Sequence, residues 1–164
     1  MKVSIGQSYG GGIVFYVDES EQHGLIAATR DQNQRSGNCW LIKKYVTSDY
    51  ETIGATKDGL YAGKINTKLI IDYEDARSSA AQICANYEGG GYRDWYLPSK
   101  YELNLLYKQK KVVGGFEDWG YWSSTECTSR SAWFQDFTSG YLTSGGQYTD
   151  DKLSAQNVRA VRAF

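Results

Sequence analysis

The stretch that most constrains this chain runs from Gly89 to Tyr107: Gly-Gly-Gly-Tyr-Arg-Asp-Trp-Tyr-Leu-Pro-Ser-Lys-Tyr-Glu-Leu-Asn-Leu-Leu-Tyr. Pro98, the only proline in the protein, disfavours the helical basin at Leu97, so an extended segment must end there. Ser99 follows at the N-cap position with Glu102 three residues on, which is the pattern of a capping box. Leu97 or Pro98 before the cap can staple against Leu103 after it. The spacing predicts a strand, a joint and a helix over about Ser99 to Lys110, with the other elements arranged around them.

From the N-terminus, residues 1–9 read as a short edge strand or a tether. Gly10, Gly11 and Gly12 precede Ile13 to Val17, a β segment that is apolar on both faces. A polar turn, Asp18 to His23, leads to a second strand over Gly24 to Thr29, and the two make a hairpin. Asp31 to Lys68 shows little periodicity and has one heavy anchor, Trp40, so it reads as a long excursion with short elements. A helix is expected from Asp72, with Asp75 in its first turn and Ala76, Ala80, Ile83 and Tyr87 along one face. Gly89, Gly90 and Gly91 end it. After the joint, Val112, Val113, Gly114 and Gly115 close the helical part. Strands are expected over 121–125 and 132–137, a short one over 141–143, a polar loop over 144–156 and a final strand over 157–164. Hairpin, two helices and antiparallel strands make an α+β arrangement, most simply one domain of 164 residues.

The charge balance, 18 Lys and Arg against 19 Asp and Glu, gives no argument for nucleic acid as a partner. No apolar run approaches bilayer-spanning length, so membrane insertion is not expected. The 14 tyrosines, 5 tryptophans and 18 glycines match the palette of recognition surfaces, and equally the filling of a β-rich core. No P-loop, nucleophile elbow or metal-ligand spacing appears. The glycine triplets lack the strand–glycine–helix order of a phosphate loop and read as turns and a helix stop. His23 has no second histidine and no carboxylate pattern beside it, and reads as a surface residue in a turn. The expectation is a domain that is not an enzyme and needs no cofactor and no metal. Cys39, Cys84 and Cys127 make an odd number, unlike a purely disulfide-stapled module.

Basic residues are clustered. Lys108, Lys110 and Lys111 end the second helix, where lysines also complement the helix dipole. Lys43 and Lys44 follow Trp40, Lys64 and Lys68 lie in the excursion, and Arg130 and Lys152 lie in the later loops. Strand alternation assigns Trp122 and Trp133 to the core and leaves Tyr141 and Tyr148 as surface candidates.

Four blocks, in this order, carry a resemblance across nearly the whole chain: Gly11 to Val17 with His23 to Ala28; Gly91 to Ser99 with Glu102 and Leu103; Tyr121 to Glu126; and Val158 to Arg162. They resemble the Lcl C-terminal domain family, which is similar to C-type-lectin-like domains and occurs at the tips of bacterial collagen-like adhesins and in phage or surface recognition proteins. The resemblance implies a C-type-lectin-like fold, extracellular, cell-surface or virion-surface display, and a homotrimer. Family members often carry a cysteine where Ala160 stands, placed to bridge to the position of Cys84; here Cys84 is left as a buried thiol or pairs with Cys39 or Cys127. The Glu/Gln-Pro-Asn/Asp loop of calcium-dependent lectins is absent, so no lectin-type calcium site is expected. With the adhesin context, the clusters suggest a sulfated-polysaccharide (glycosaminoglycan) site built from Lys43, Lys44, Lys108, Lys110, Lys111, Arg130 and Lys152. The alternative is a host surface receptor held by Tyr141 and Tyr148. A weaker alternative rests on similarity to formylglycine-generating oxygenases, which share a Leu-Pro-Ser/Thr…Glu helix entry and hold copper with paired cysteines; Cys39 and Cys127 are the loop-borne pair.

Overall fold

The computed structural model describes residues 2–33, 37–40, 52–73 and 79–164. Within them the chain forms strands Ser8–Tyr9 (β1), Gly12–Val17 (β2), Gly24–Ala27 (β3) and Asn38–Cys39 (β4). Helices Ala62–Asp72 (α1), Ala80–Ala85 (α2), Lys100–Lys108 (α3) and Lys110–Val113 (α4) follow. Strands Gly120–Glu126 (β5), Ser131–Asp136 (β6), Gln147–Asp151 (β7), Ala155–Gln156 (β8) and Val161–Ala163 (β9) complete it. The strands pair antiparallel in sheets of order β1-β2-β3-β9, β5-β6-β7 and β4-β8. The architecture is α+β.

The hairpin is apolar on both faces because both faces are covered. Val14 and Ile26 join a core with Trp40, Trp95, Leu97, Trp122 and Val158. Phe15 and Leu25 join a second core with Tyr96, Leu103, Leu106, Tyr121, Phe137 and Val161. Trp95 and Tyr96, like Tyr121 and Trp122, are neighbours in sequence that enter opposite cores, as the two-residue period of extended chain requires. Residues 3–9 pack on the domain: Val3 is buried in the first core, and Gly6 N–H donates to the Val14 carbonyl at 2.8 Å.

The joint around Pro98 forms as its sequence dictates. Tyr96 and Val161 exchange backbone hydrogen bonds of 2.8 and 3.0 Å, which fixes the segment against β9. Ser99 Oγ then accepts from Glu102 N–H at 3.2 Å while Glu102 Oε2 accepts from Ser99 N–H at 2.8 Å, a complete capping box at α3. Glu102 reaches further than its own helix. It also accepts from the N–H groups of Tyr61 (2.7 Å) and Gly63 (3.2 Å) at the start of α1, and from the Tyr96 hydroxyl (2.9 Å). One carboxylate therefore caps two helices. The approach is close because residue 63 is glycine: a Cβ there would lie 2.5 Å from Glu102 Oε2 and 2.6 Å from the Leu97 carbonyl.

Three expectations are corrected. The excursion over 31–68 contains most of α1, which begins at a left-handed Tyr61 (φ 63°) whose own side chain makes no cap. Its inward face is Ala62, Gly63, Asn66, Thr67 and Ile70, while Ile65 and Leu69 point outward, so its periodicity reads inside out. The helix expected from Asp72 starts later: Asp72 ends α1, and α2 opens at Ser79, whose side chain accepts from Gln82 N–H. Residues 74–78, including Asp75 and Ala76, lie outside the described residues. In the C-terminal part, 141–143 is turn, the loop expected over 144–156 contains β7 and β8, and the last strand is only Val161–Ala163.

The four sequence blocks singled out above tie to one another. Gly11 and Gly90 bring the two glycine triplets into contact, since a Cβ on Gly90 would lie 2.4 Å from Gly11 Cα. Ser124 N–H donates to the Pro98 carbonyl at 2.7 Å. Arg159, buried, bonds Asp31 at 2.7 Å, Ala28 O at 3.0 Å and Gly114 O at 3.1 Å. Arg162 grips both oxygens of Asp94 at 2.7 and 3.1 Å, reaches Gly10 O at 3.1 Å and stacks 3.8 Å from the Tyr92 ring. The blocks are scaffold.

The Arg162 guanidinium holds the Asp94 carboxyl below its usual range, against a smaller opposing effect of burial. A folded-state value below the unfolded one adds stability above about pH 3.8, and that stability is lost as pH falls through the lowered value. The carboxylate is 43% exposed, so screening keeps the effect small. Asp94→Asn is expected to flatten the acid limb of the urea midpoint measured against pH; an unchanged limb would remove Asp94 from the acid response.

Candidate ligand-binding tip

The β6–β7 hairpin separates the expected site residues into two groups. At one end, residues 137–146 form a loop that lies against the end of α3. Lys110 holds it: the ammonium donates to Phe137 O (2.8 Å), Thr138 O (3.2 Å) and Ser139 Oγ (3.1 Å). The Tyr107 ring packs edge-on against Phe137 at 5.2 Å. Asp136 Oδ1 accepts from Thr138 N–H at 2.9 Å, and Gly145 N–H returns to Asp136 O at 2.8 Å. Burial raises the Asp136 carboxyl, but hydrogen bonding from Thr138 and Thr143, with a smaller contribution from the charge of Lys110, outweighs it and leaves the group below its usual value. Tyr141 and Ser144 close the turn, Tyr141 N–H donating to Ser144 Oγ (3.0 Å) and Ser144 N–H to Tyr141 O (3.1 Å).

This bracing leaves Tyr141 72% and Leu142 108% exposed. Lys108 and Lys111, both exposed, flank the lysine that pins the loop. Trp119 is 59% exposed, and its carbonyl accepts from Phe137 N–H at 3.0 Å. The fold thus brings Lys108, Lys110, Lys111 and Tyr141 to one end of the domain, where Leu142 and Trp119, neither singled out from the sequence, join them. The part expected of Lys110 is corrected, because its ammonium clamps loop carbonyls and does not stand open to a ligand. Tyr148, 43% exposed, lies over the opposite face of the hairpin, with its ring 6.0 Å from Phe134.

The other group lies at the far end, five residues along β6 or about 17 Å away. Arg130 pairs with Asp151 at 2.6 Å. Lys152 is a correction: it is 1% exposed and cannot face a ligand. Its ammonium contacts Glu126 Oε2 at 2.6 Å and Ser129 O at 2.7 Å, and lies 4.9 Å from the Trp40 ring. Glu126 also accepts from Ile53 N–H (2.8 Å) and Gly54 N–H (3.1 Å). Lys43 and Lys44 lie outside the described residues. Trp122 is buried as expected, whereas Trp133 is only half-buried, with the Lys100 ammonium 3.6 Å above its ring.

The cysteines are three free thiols. Cys84 is buried in the core that also holds Ala160, and burial pushes its thiol up. Cys39 Sγ lies 3.0 Å from Leu153 O, and Cys127 is exposed just after β5. Among the described residues no group of three His, Cys, Asp or Glu side chains is placed to hold a metal, and no helix is long and apolar enough to cross a membrane.

The scaffold is locked by ties between the four sequence blocks and presents side chains on braced loops. The model of the Lcl C-terminal domain matches residues 27–162, most of the chain, and the protein belongs to that family. A comparison with curated proteins finds no match.

Proposed function

We propose that this is a non-catalytic recognition domain of C-type-lectin-like fold, displayed outside a bacterium or on a virion, that holds a protein receptor at its tip without calcium. The reading is carried by Leu142, a fully exposed leucine on a loop held by hydrogen bonds from Lys110 and around Asp136. Such a side chain cannot fold back onto its own core, and it offers nothing to a polyanion. Together with Tyr141 it supplies the apolar and aromatic anchors that fill receptor pockets, while Lys108 and Lys111 steer the approach of an acidic rim. A trimer would present three tips and raise avidity without a new kind of contact; light scattering reads the mass. The cysteines support a non-catalytic role, since Cys84 is buried and the Cys39 thiol faces a carbonyl.

A sulfated polysaccharide is the second reading, favoured by the two exposed lysines. Polyanion binding needs many cations on one face, and Lys110, Arg130 and Lys152 already serve loop carbonyls, Asp151 and Glu126. Adsorption of the labelled domain to epithelial cells distinguishes the two. Binding is expected to be abolished by surface proteolysis, to survive heparinase, and to fall at least about tenfold in Leu142→Asp, the loss of one buried anchor. Heparinase-sensitive adsorption that survives Leu142→Asp would move the function to the polysaccharide.

A further inference from the structure

A cleft of about 350 Å³ opens between the segment leaving β3 and helix α2, lined by Arg30, Asp31, Gln32, Ile83, Asn86 and Tyr87. Most of its polar groups are already engaged. The Asp31 carboxylate is met by Arg159 at 2.7 Å and the Tyr121 hydroxyl at 2.8 Å. The Gln32 side chain accepts from Ala160 N–H and donates to Arg30 O, and its own N–H donates to Val158 O at 2.8 Å. Asn86 accepts from Gln82 at 2.9 Å through its oxygen, which leaves its amide N–H groups to donate. The Tyr87 ring is held edge-on against Trp95 at 5.0 Å.

One charge is left over. Arg30 is exposed and its guanidinium has no partner among the described residues. Asp31 is matched by Arg159, so among the described residues the cleft carries the unmatched positive charge of Arg30. It offers a planar five-donor fork, a free amide donor, and the apolar surfaces of Ile83 and Tyr87 on one wall. Its volume is near the lower end for small-molecule sites, roughly 300 Å³.

We propose that this cleft is a second ligand site, separate from the tip, which takes the carboxylate of an acidic sugar. The guanidinium engages the carboxylate side by side in the two-point geometry that planar groups share. The ring lies against Ile83 and Tyr87, and a hydroxyl accepts from Asn86. A single ring held this way binds in the millimolar range, about −4 kcal/mol.

Saturation-transfer NMR on the whole domain tests the assignment, with methyl glucuronoside, the methyl glycoside of N-acetylneuraminate and neutral methyl glucoside as probes. Transfer is expected to at least one acidic sugar and not to methyl glucoside, and the acid that responds identifies a uronate or a sialate. Arg30→Gln is expected to weaken that binding about tenfold, the scale of one charged hydrogen-bonded pair. Arg30 is exposed, so the variant keeps its fold. The Lys108→Ala/Lys111→Ala variant is expected to bind the sugar as wild type does, which separates this site from the tip. The proposal is overturned if neither acidic sugar shows transfer at tens of millimolar, if the neutral sugar binds equally, or if Arg30→Gln binds like wild type.

Discussion

Lys152→Met is expected to destabilise the domain by about 3–5 kcal/mol, the range for removing one partner of a buried ion pair. Glu126 and Lys152 are both almost fully shielded and lie 2.6 Å apart. Without the ammonium, the Glu126 carboxylate stays in the interior, supported among the described residues by the N–H groups of Ile53 and Gly54. The damage should spread to loops distant in sequence, because this pair ties residues 53–54 to residues 126–130 and to 152. Urea unfolding of Lys152→Met measures the loss. The double variant Lys152→Met/Glu126→Gln is expected to recover part of it by removing the stranded charge. A single variant within about 1 kcal/mol of wild type, the scale of an exposed pair, would show that the ammonium is solvated.

Glu102→Gln is the second large effect, expected at about 3 kcal/mol or more, because each carboxylate oxygen accepts two hydrogen bonds. Oε1 takes them from Tyr61 N–H and the Tyr96 hydroxyl, Oε2 from Gly63 and Ser99 N–H. Burial pushes this carboxyl above its usual range, against the pull of those donors. An amide keeps one accepting oxygen and turns an NH2 group toward two donors, leaving buried N–H groups unpaired at about 1–3 kcal/mol each. Tyr96→Phe removes one donor and leaves the carboxylate, so it should cost only about 1 kcal/mol. Chemical denaturation orders the two variants, and hydrogen exchange at 61–63 shows whether α1 has lost its cap. Equal effects from both would mean that the carboxylate does not hold the two helices together.

The Glu102 case shows how far local pattern reaches. Ser99-x-x-Glu102 announces the start of α3, because the partners of a capping box are three residues apart and their geometry is local. That the same carboxylate also caps α1 depends on Gly63, 39 residues earlier, and no local spacing encodes that distance. Helix α1 itself was hidden for a related reason. It turns Gly63, Asn66 and Thr67 inward against Leu97 and Lys57, with Thr67 Oγ1 accepting from Leu97 N–H at 3.0 Å and Asn66 donating to Lys57 O at 2.6 Å. A polar face satisfied by tertiary hydrogen bonds carries no hydrophobic period to read.

The candidate site follows the same division. The exposed Tyr141 and the lysine cluster at the end of α3 were legible, since a glycine-bounded turn and a run of cations are local features. Which lysine is available was not. Lys108, Lys110, Lys111 and Lys152 are alike as residues, and they differ only through what the fold places around each ammonium: solvent for Lys108 and Lys111, loop carbonyls for Lys110 and a buried carboxylate for Lys152.

By itself, the sequence determined the α+β class, the hairpin, the proline joint with its capped helix, and the family, all of which rest on short-range backbone preferences and ordered blocks. Tertiary structure alone decided that the glycine triplets touch, that Arg159 and Arg162 are internal ties, and that Leu142 stands clear of the surface. Those outcomes depend on which distant groups compete for the same space and the same protons, and only the closed fold brings them together.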